Sequence, residues 1–432
     1  MKASEAAAPR HVMALRAGGG MLLVTGVLAL AFNLRAAITS LPPVFPDLES
    51  ALHVSASTLA VLAAIPVLCF GVFSGFGAAL SRRFGEERIL GGALLLLALG
   101  LLLRGLSPVA LLFPGTVVAG GAIALMNVLL PSLVKRRMPD RAGLLIGLYL
   151  LMLSGGAIVG SLIAVPFYTA AGGSLTSPST AGSLAIRGTL ALWAAPALLA
   201  AALWVPQWRF RTVPDGVAAR PVVPGPRTGA IAMGRHALAW QVTLFMGLQS
   251  LSYYATLSWF PTMFQDRGVS AAHAGDLLAL MNLGNAVTAL VIPVLAQRAA
   301  DQRRLVAIAM LATGTGIACA MFLSTGYAAG SVFLLGLGQG ATLGLGIFYT
   351  MARAPDPASA ASLSAFAQGI GYLIASLGPL AIGLVHDATG GWTVPAAVLL
   401  VVAVLQLTTG WLAGRARIVP VAAQQPAGTG TA

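Results

Sequence analysis

Long apolar runs recur along almost the whole chain and leave little sequence between them for a water-exposed domain. A run of about 20 apolar residues is long enough to cross the hydrocarbon core of a bilayer as a helix. Lipid offers no hydrogen-bond partner to backbone groups, so a spanning run must form a helix or join a closed barrel. These runs lack the alternation of barrel strands, and we therefore predict an all-α membrane protein with twelve transmembrane helices.

The predicted spans fall into two sets of six. The first set covers residues 20–43, 57–80, 89–106, 109–134, 142–168 and 186–205. The second set covers residues 238–264, 271–295, 305–324, 328–351, 359–385 and 394–413. Only 9% of the residues are charged, whereas soluble domains average about 25%, so composition favours the same conclusion.

The basic residues show how the chain is oriented. The chain has 25 Lys and Arg against 12 Asp and Glu, a balance that would favour a nucleic-acid partner in a soluble protein. Most of them, however, lie in alternate loops and in the N-terminal segment, and such asymmetry sets membrane topology. We therefore expect no nucleic-acid partner, and a multi-pass protein of the inner or plasma membrane with both termini in the cytoplasm.

Three short patterns occur twice at nearly the same spacing, roughly 215–219 residues apart. They match residues 42–47 with 261–266, residues 80–90 with 295–305, and residues 139–140 with 355–356. We interpret this as two six-helix halves, residues 1–205 and 236–432, joined by a proline-rich cytoplasmic linker at 206–235. Parallel repeats of this kind are the architecture of the major facilitator fold, with a solute site expected between the halves near the middle of the bilayer.

Several stretches resemble the cyanate and 2-nitroimidazole permease family (CynX/NimT) of the major facilitator superfamily. The residues that carry the resemblance are Asn33-Leu34-Arg35-Ala36-Ala37-Ile38-Thr39-Ser40, the loop 82–88, residues 127–131 with Lys135, residues 240–245, and Gly371-Tyr372. The resemblance implies a carrier of small solutes such as cyanate or nitroimidazoles. The chain departs from the superfamily loop motif at Ala78 and Arg82, where Gly and Asp usually stand.

Arg35 is a charged side chain within the first span. It lies about 14 residues into that span, which is roughly 21 Å at 1.5 Å per residue. An arginine at such depth costs about 2.5–3.5 kcal/mol on insertion scales and is a candidate functional residue. Its planar guanidinium suits a small anion; the alternative is a structural role on helix-end carbonyls or at the outer interface. Asn33 points to another sector of the helix, to orient a neighbour or line another part of the cavity.

Amides and phenols at mid-depth are the other candidates for solute contact. Gln249 with Tyr253, and Gln368 with Tyr372, each share a helix face at i,i+4 spacing. The complete set of predicted substrate-binding residues is Arg35, Asn33, Asn127, Tyr149, Gln249, Tyr253, Asn282, Gln339, Gln368 and Tyr372. For each amide or phenol in the set, hydrogen bonding between helices is the alternative role.

The acidic residues all fall in loops or at the ends of spans. Among them Asp276, near His273, starts a helix and is the candidate for ion coupling. The loop after the second span is the candidate gating loop, with Arg82, Arg83, Gly85 and Arg88 as its functional residues.

We therefore expect a secondary active transporter that moves a small anionic or polar solute by alternating access, as a monomer in lipid, without a cofactor or metal. The alternative is a drug or metabolite efflux transporter of the same fold, since the glycine motifs at 155–160 and Gly378-Pro379 could allow helix bending. A membrane-embedded enzyme is less favoured because the five histidines lie at termini or span ends.

Overall fold

The computed structural model describes residues 10–52, 54–73, 76–106, 109–173, 180–209 and 230–420. Across these ranges the regular secondary structure is helical, and they contain no strand. The predicted all-α class is confirmed.

The helices follow one another with short connections. Up to residue 209 they are α1 (Arg10–Thr39), α2 (Phe45–Leu52), α3 (Ala56–Phe73), α4 (Gly77–Phe84), α5 (Glu86–Gly105), α6 (Leu112–Arg137), α7 (Ala142–Ala170), α8 (Thr180–Leu192) and α9 (Ala194–Trp204). From residue 230 they are α10 (Ala230–Met233), α11 (Ala237–Asp266), α12 (Ala271–Arg298), α13 (Arg303–Phe322), α14 (Ala328–Ala352), α15 (Pro357–Thr389) and α16 (Thr393–Ala413). Most of the predicted linker lies outside the described residues.

Eleven segments of the described chain are helical, long and apolar enough to cross a membrane. The predicted seventh span corresponds to α11, which has 30 residues but is not among the eleven. It carries Gln249, Ser252 and Thr256, which lower its mean hydropathy and are all buried. The polar side chains of α11 are therefore satisfied inside the protein, where a hydropathy criterion does not detect them.

Two predicted spans do not form single straight helices. The predicted span 57–80 divides into α3, which ends at Phe73, and α4, which begins at Gly77; glycines at 75 and 77 lower helix propensity there. The predicted span 186–205 divides at Trp193 between α8 and α9. Pro196 stands in the first turn of α9, and proline cannot donate a helical hydrogen bond to the preceding turn.

The chain forms two compact units. One comprises Met1–His53 and Phe76–Pro214, and the other Val54–Gly75 and Asp215–Ala432. The second unit thus includes α3, which the repeat assigns to the first half, because α3 packs along α15 and touches α11. The division of the sequence at residues 205 and 236 remains a prediction about the repeat, and α3 is where the compact units depart from it.

Glycines let neighbouring helices approach closely in both units. A Cβ placed on Gly156 of α7 would lie 2.1 Å from the carbonyl oxygen of Phe32 of α1. A Cβ on Gly340 of α14 would lie 2.0 Å from the carbonyl oxygen of Asn285 of α12. Helices in lipid associate through such close packing, because lipid tails provide no hydrophobic drive. The glycine motif that favoured an efflux transporter is thereby explained at Gly156 by packing.

Asp356 fixes where α15 begins. Its carboxylate accepts hydrogen bonds from the backbone N–H groups of Ala358 and Ser359 at 2.9 Å and from the Ser359 hydroxyl at 2.7 Å. These bonds lower the pKa of Asp356. The Pro-Asp pair of the repeat is thus a helix N-cap followed by proline at the first helical position, a combination typical of helix starts.

Candidate functional site

A buried polar pair joins α11 to α12. The phenol of Tyr253 donates a 2.7 Å hydrogen bond to Oδ1 of Asn282, and Nδ2 of Asn282 donates to the carbonyl oxygen of Leu278 at 2.9 Å. Tyr253 and Asn282 are 2% and 3% exposed. The structure therefore brings together two residues that the sequence nominated separately.

The side chain of Gln339 forms a second polar group, between α14 and α11. Its Nε2 donates to Oγ1 of Thr256 at 3.0 Å, and its backbone carbonyl accepts from Nε2 of Gln249 at 3.3 Å. Its Oε1 is buried and has no hydrogen-bond partner among the described residues. A buried acceptor left unpaired costs about 1–3 kcal/mol, so a donor on a polar solute would find a favourable partner in Oε1.

Asn285 offers the complementary group on α12. Its Nδ2 is buried and also has no hydrogen-bond partner within the described part of the chain. The second unit therefore holds both an amide acceptor, on Gln339, and an amide donor, on Asn285, that its own side chains do not satisfy. This combination suits a solute with both donor and acceptor atoms.

An aromatic cluster lies where α3, α11 and α15 meet. The Phe70 ring of α3 is 5.4 Å from the ring of Tyr372 in an edge-on arrangement and 6.3 Å from the ring of Tyr254. Tyr254 in turn lies edge-on to Tyr253 at 5.2 Å. These contacts connect Tyr372 to the polar pair on α11 and α12.

The two predicted i,i+4 pairs have different outcomes. Gln249 and Tyr253 are both buried, and they bond to different neighbours, α14 and α12. Gln368 is exposed and donates to the hydroxyl of Ser364 at 2.7 Å, one turn back on the same helix. Gln368 is therefore not brought to the polar groups of α11, α12 and α14.

In the first unit, Asn33 and Arg35 occupy different surroundings on α1. Nδ2 of Asn33 donates to the carbonyl oxygens of Ala29 at 2.8 Å and of Pro196 at 3.2 Å, so Asn33 ties α1 to α9. Arg35 is partly exposed. This arrangement supports the structural role that the sequence left open for Asn33, and it keeps Arg35 accessible.

Asn127 and Tyr149 form a pair that resembles the one in the second unit. The phenol of Tyr149 donates to Oδ1 of Asn127 at 3.1 Å, which links α6 to α7. Tyr149 is buried and Asn127 is partly buried. Each unit therefore contains a tyrosine that donates to an asparagine on a neighbouring helix.

The predicted gating loop joins α4 to α5. Gly85 has a φ of 85°, a conformation in the region that favours glycine, and it ends α4 and starts α5. Arg82, Arg83 and Arg88 are exposed. The three arginines are thus available to solvent rather than packed into the unit.

Two acidic residues beside this loop are buried, which the sequence did not predict. Oε1 of Glu86 lies 3.3 Å from Arg136 and accepts a 2.9 Å hydrogen bond from the hydroxyl of Ser132. Glu87 lies 3.6 Å from Arg137. These ion pairs connect the start of α5 to the end of α6.

The second unit contains a neutral version of the same arrangement. The repeat shift of about 215–216 residues relates Glu87 to Gln302 and Arg137 to Arg353. Arg353 donates to Oε1 of Gln302, to the carbonyl oxygen of Ala413 at 2.9 Å and to that of Gly414 at 3.2 Å. Burial lowers the pKa of Arg353. The repeat pattern in the sequence could have located this cluster, but it gave no sign that the residues are buried.

The acidic residues differ in their surroundings. The side chain of Asp276 is 59% exposed and lies 3.7 Å from Nδ1 of His273. Asp47, which follows the first span, is instead 6% exposed and accepts a hydrogen bond from the phenol of Tyr168. The predicted coupling residue is therefore a surface carboxylate, and the buried one was missed because its sequence position is a span end.

Comparison with known proteins identifies the family. A model of the Major Facilitator Superfamily matches residues 23–379 and 242–426. The chain belongs to the major facilitator superfamily. It is 36% identical to the 2-nitroimidazole transporter of Escherichia coli (strain K12), over 91% of this chain and 96% of that protein. It is 32% identical to the cyanate transport protein CynX of the same organism, over 86% of this chain and 91% of that protein.

Solved structures show the same fold. A bacterial homologue of the human lysosomal transporter Spinster superposes on this major facilitator transporter with a TM-score of 0.73, at 17% identity, over 92% of this chain and 97% of that one. The predicted fold and the resemblance to the cyanate and 2-nitroimidazole permeases are confirmed. The protein is a multi-pass membrane transporter, and its relatives are named transporters rather than enzymes.

Proposed function

We propose that this transporter carries a small polar or anionic solute, of the cyanate or nitroimidazole kind, by alternating access. The relatives named for 2-nitroimidazole and cyanate support this solute class. The observation that carries the proposal is the cluster of buried amides and phenols on α11, α12 and α14. Its unpaired acceptor on Gln339 and unpaired donor on Asn285 match a solute that both donates and accepts hydrogen bonds, as an imidazole ring does.

Charge favours a neutral or anionic solute over a cation. The acidic residues of the described helices lie at helix ends, whereas Arg35 lies within α1 and is partly exposed. A guanidinium attracts anions and presents several donors in one plane. We therefore assign Arg35 to the solute pathway, together with Tyr253, Asn282, Gln339 and Tyr372.

For the driving ion we propose a proton, with Asp47 as the carboxylate that binds it. A proton carrier must pass between water and a sheltered environment, and burial in apolar surroundings disfavours an ionised carboxylate. Asp47 is buried with a phenol as its hydrogen-bond donor, whereas Asp276 is largely exposed. Asp276 remains the comparison residue for coupling.

The orientation follows from the distribution of basic residues. We propose that the transporter lies in the inner or plasma membrane with both termini in the cytoplasm, since that side then carries most of the lysines and arginines. We propose further that a single chain suffices for transport. Reporter fusions at each terminus and the molecular mass in detergent test these two statements.

The experiment that tests the solute class is uptake into proteoliposomes. Labelled cyanate, 2-nitroimidazole, a small carboxylate and a small quaternary ammonium would be offered with and without an inward proton gradient. We expect saturable uptake of at least one of the first three and none of the ammonium compound. Saturable uptake of the cation alone would contradict the proposed class.

A further inference from the structure

Helix α3 belongs to one half by sequence and to the other by packing. The repeat places it in the first half, while in the structure it groups with the second unit and packs along α15. The two helices run antiparallel: Ala60 near the start of α3 lies beside Gly383 late in α15, and Gly71 lies beside Leu373. We call this contact between α3 and α15 the seam.

A carboxylate of α15 caps the first turn of α3. Oδ2 of Asp387 accepts a 2.9 Å hydrogen bond from the backbone N–H of Ser57. The first N–H groups of a helix have no partner within it. The chain of α3 supplies a second cap itself, because Oγ of Ser55 accepts from the N–H of Thr58 at 3.2 Å. The N-terminal cap of α3 is therefore shared between its own chain and α15.

The end of α15 that carries Asp387 is held firmly. Nδ1 of His386 lies 3.8 Å from Asp387, and the imidazole ring lies 4.0 Å from the ring of Trp392. The indole N–H of Trp392 donates to Asp266 at the end of α11 at 2.8 Å. Asp387 is thus fixed to α11 and to the segment that begins α16, and α3 is the helix that can move away from it.

The rest of the seam is made of contacts that part without leaving polar groups unpaired. A Cβ placed on Gly383 would lie 2.6 Å from the Cβ of Ala60, and one on Gly71 would lie 2.8 Å from Cδ2 of Leu373. Apolar surfaces of this kind lose little when lipid replaces the neighbouring helix. The side chain of Asp387 is 34% exposed, so water can take over its hydrogen bond once the helices separate.

We propose that the seam opens and closes during transport and that Asp387 is the latch that holds α3 in the closed form. The inference rests on the proposed function, because alternating access moves the helices of one repeat against those of the other. A helix of the first repeat that packs on the second must therefore change its contacts in each cycle. The hydrogen bond from Ser57 to Asp387 is the polar contact that such a movement breaks.

The first test measures opening of the seam without any solute. In a Cys69→Ser, Cys319→Ser background, Ala60→Cys places a reporter at a fully buried position of the seam, and its rate of alkylation by N-ethylmaleimide is measured in proteoliposomes. We expect Asp387→Ala to raise that rate about fivefold, the size expected for loss of a helix cap. Asp387→Asn keeps an oxygen acceptor and should have a smaller effect. Asp276→Ala, the matched control, should have none.

The second test closes the seam covalently. Ser57→Cys with Asp387→Cys, oxidised to a disulfide, should stop transport, and a reductant should restore it. Unchanged alkylation in Asp387→Ala together with full transport in the oxidised protein would overturn the latch while leaving the proposed function intact. Faster alkylation without flux of any tested solute would support the latch and contradict the proposed function.

Discussion

The phenol oxygen of Tyr253 lies 2.7 Å from Oδ1 of Asn282, so that a tyrosine of α11 orients an amide of α12 in the buried polar cluster. Removing only the hydroxyl, with Tyr253→Phe, frees the asparagine amide to rotate. We expect the apparent affinity for solute to fall about 5–10-fold, the factor for one net hydrogen bond. The measurement is the KM of uptake. Tyr327→Phe, at an exposed position, should leave the KM unchanged, and equal effects of the two variants would contradict the role of Tyr253.

The neutral pair of the second unit predicts how its charged counterpart responds to mutation. Glu87→Gln copies the arrangement of Gln302 with Arg353, so it should lower the thermal midpoint only slightly. Glu87→Ala leaves Arg137 without its acceptor and should cost about 1–3 kcal/mol of unfolding free energy. Intrinsic fluorescence on heating in detergent measures both. A Gln variant as unstable as the Ala variant would show that charge, rather than hydrogen bonding, holds this contact.

Glycine packing between α12 and α14 can be tested with matched alanine substitutions. Gly340→Ala brings a methyl group against the carbonyl oxygen of Asn285 and should destabilise the protein by about 1–3 kcal/mol, as overpacking does. Gly369→Ala meets nothing within 4 Å and should stabilise α15 by about 0.5–1 kcal/mol through helix propensity. Thermal midpoints that shift in the same direction would contradict the close approach of the two helices.

The proposed proton site gives a prediction that separates two carboxylates. Asp47→Asn keeps an oxygen to accept the hydrogen bond from Tyr168 but cannot exchange a proton. It should abolish accumulation driven by a proton gradient while exchange of labelled for unlabelled solute continues. Asp276→Asn should preserve both activities. Gradient-driven accumulation by Asp47→Asn at the wild-type rate would remove Asp47 from the coupling step.

The sequence was sufficient to predict the fold because lipid restricts a long apolar run to a helix. It also located the repeat, through which Gln302 and Arg353 can be matched to Glu87 and Arg137. It did not predict that α3 would pack with the second unit, since hydropathy shows that a segment is apolar and not which helix it contacts. For the same reason α11 was identified as a span although its polar face keeps its hydropathy low.

For the candidate site, helical spacing predicted faces but not partners. Gln249 and Tyr253 share a buried face as expected, yet each bonds to a different helix. Gln368 has the same spacing to Tyr372 and is exposed, because the depth of a side chain depends on the packing of the surrounding helices. Asp47 was missed since its position at the end of a span gives no indication that the side chain of Tyr168 covers it.

The most direct test of the central claim, that solute binds at the buried polar cluster, is counterflow in preloaded proteoliposomes with no ion gradient. Labelled 2-nitroimidazole or cyanate would exchange against internal unlabelled solute, which distinguishes a carrier from a channel. We expect rapid exchange by the wild type and by Gln368→Leu, whose side chain bonds only one turn back to Ser364 among the described contacts, and at least a tenfold loss in Gln339→Leu, about 1.4 kcal/mol. Wild-type exchange by a well-folded Gln339→Leu would contradict the claim.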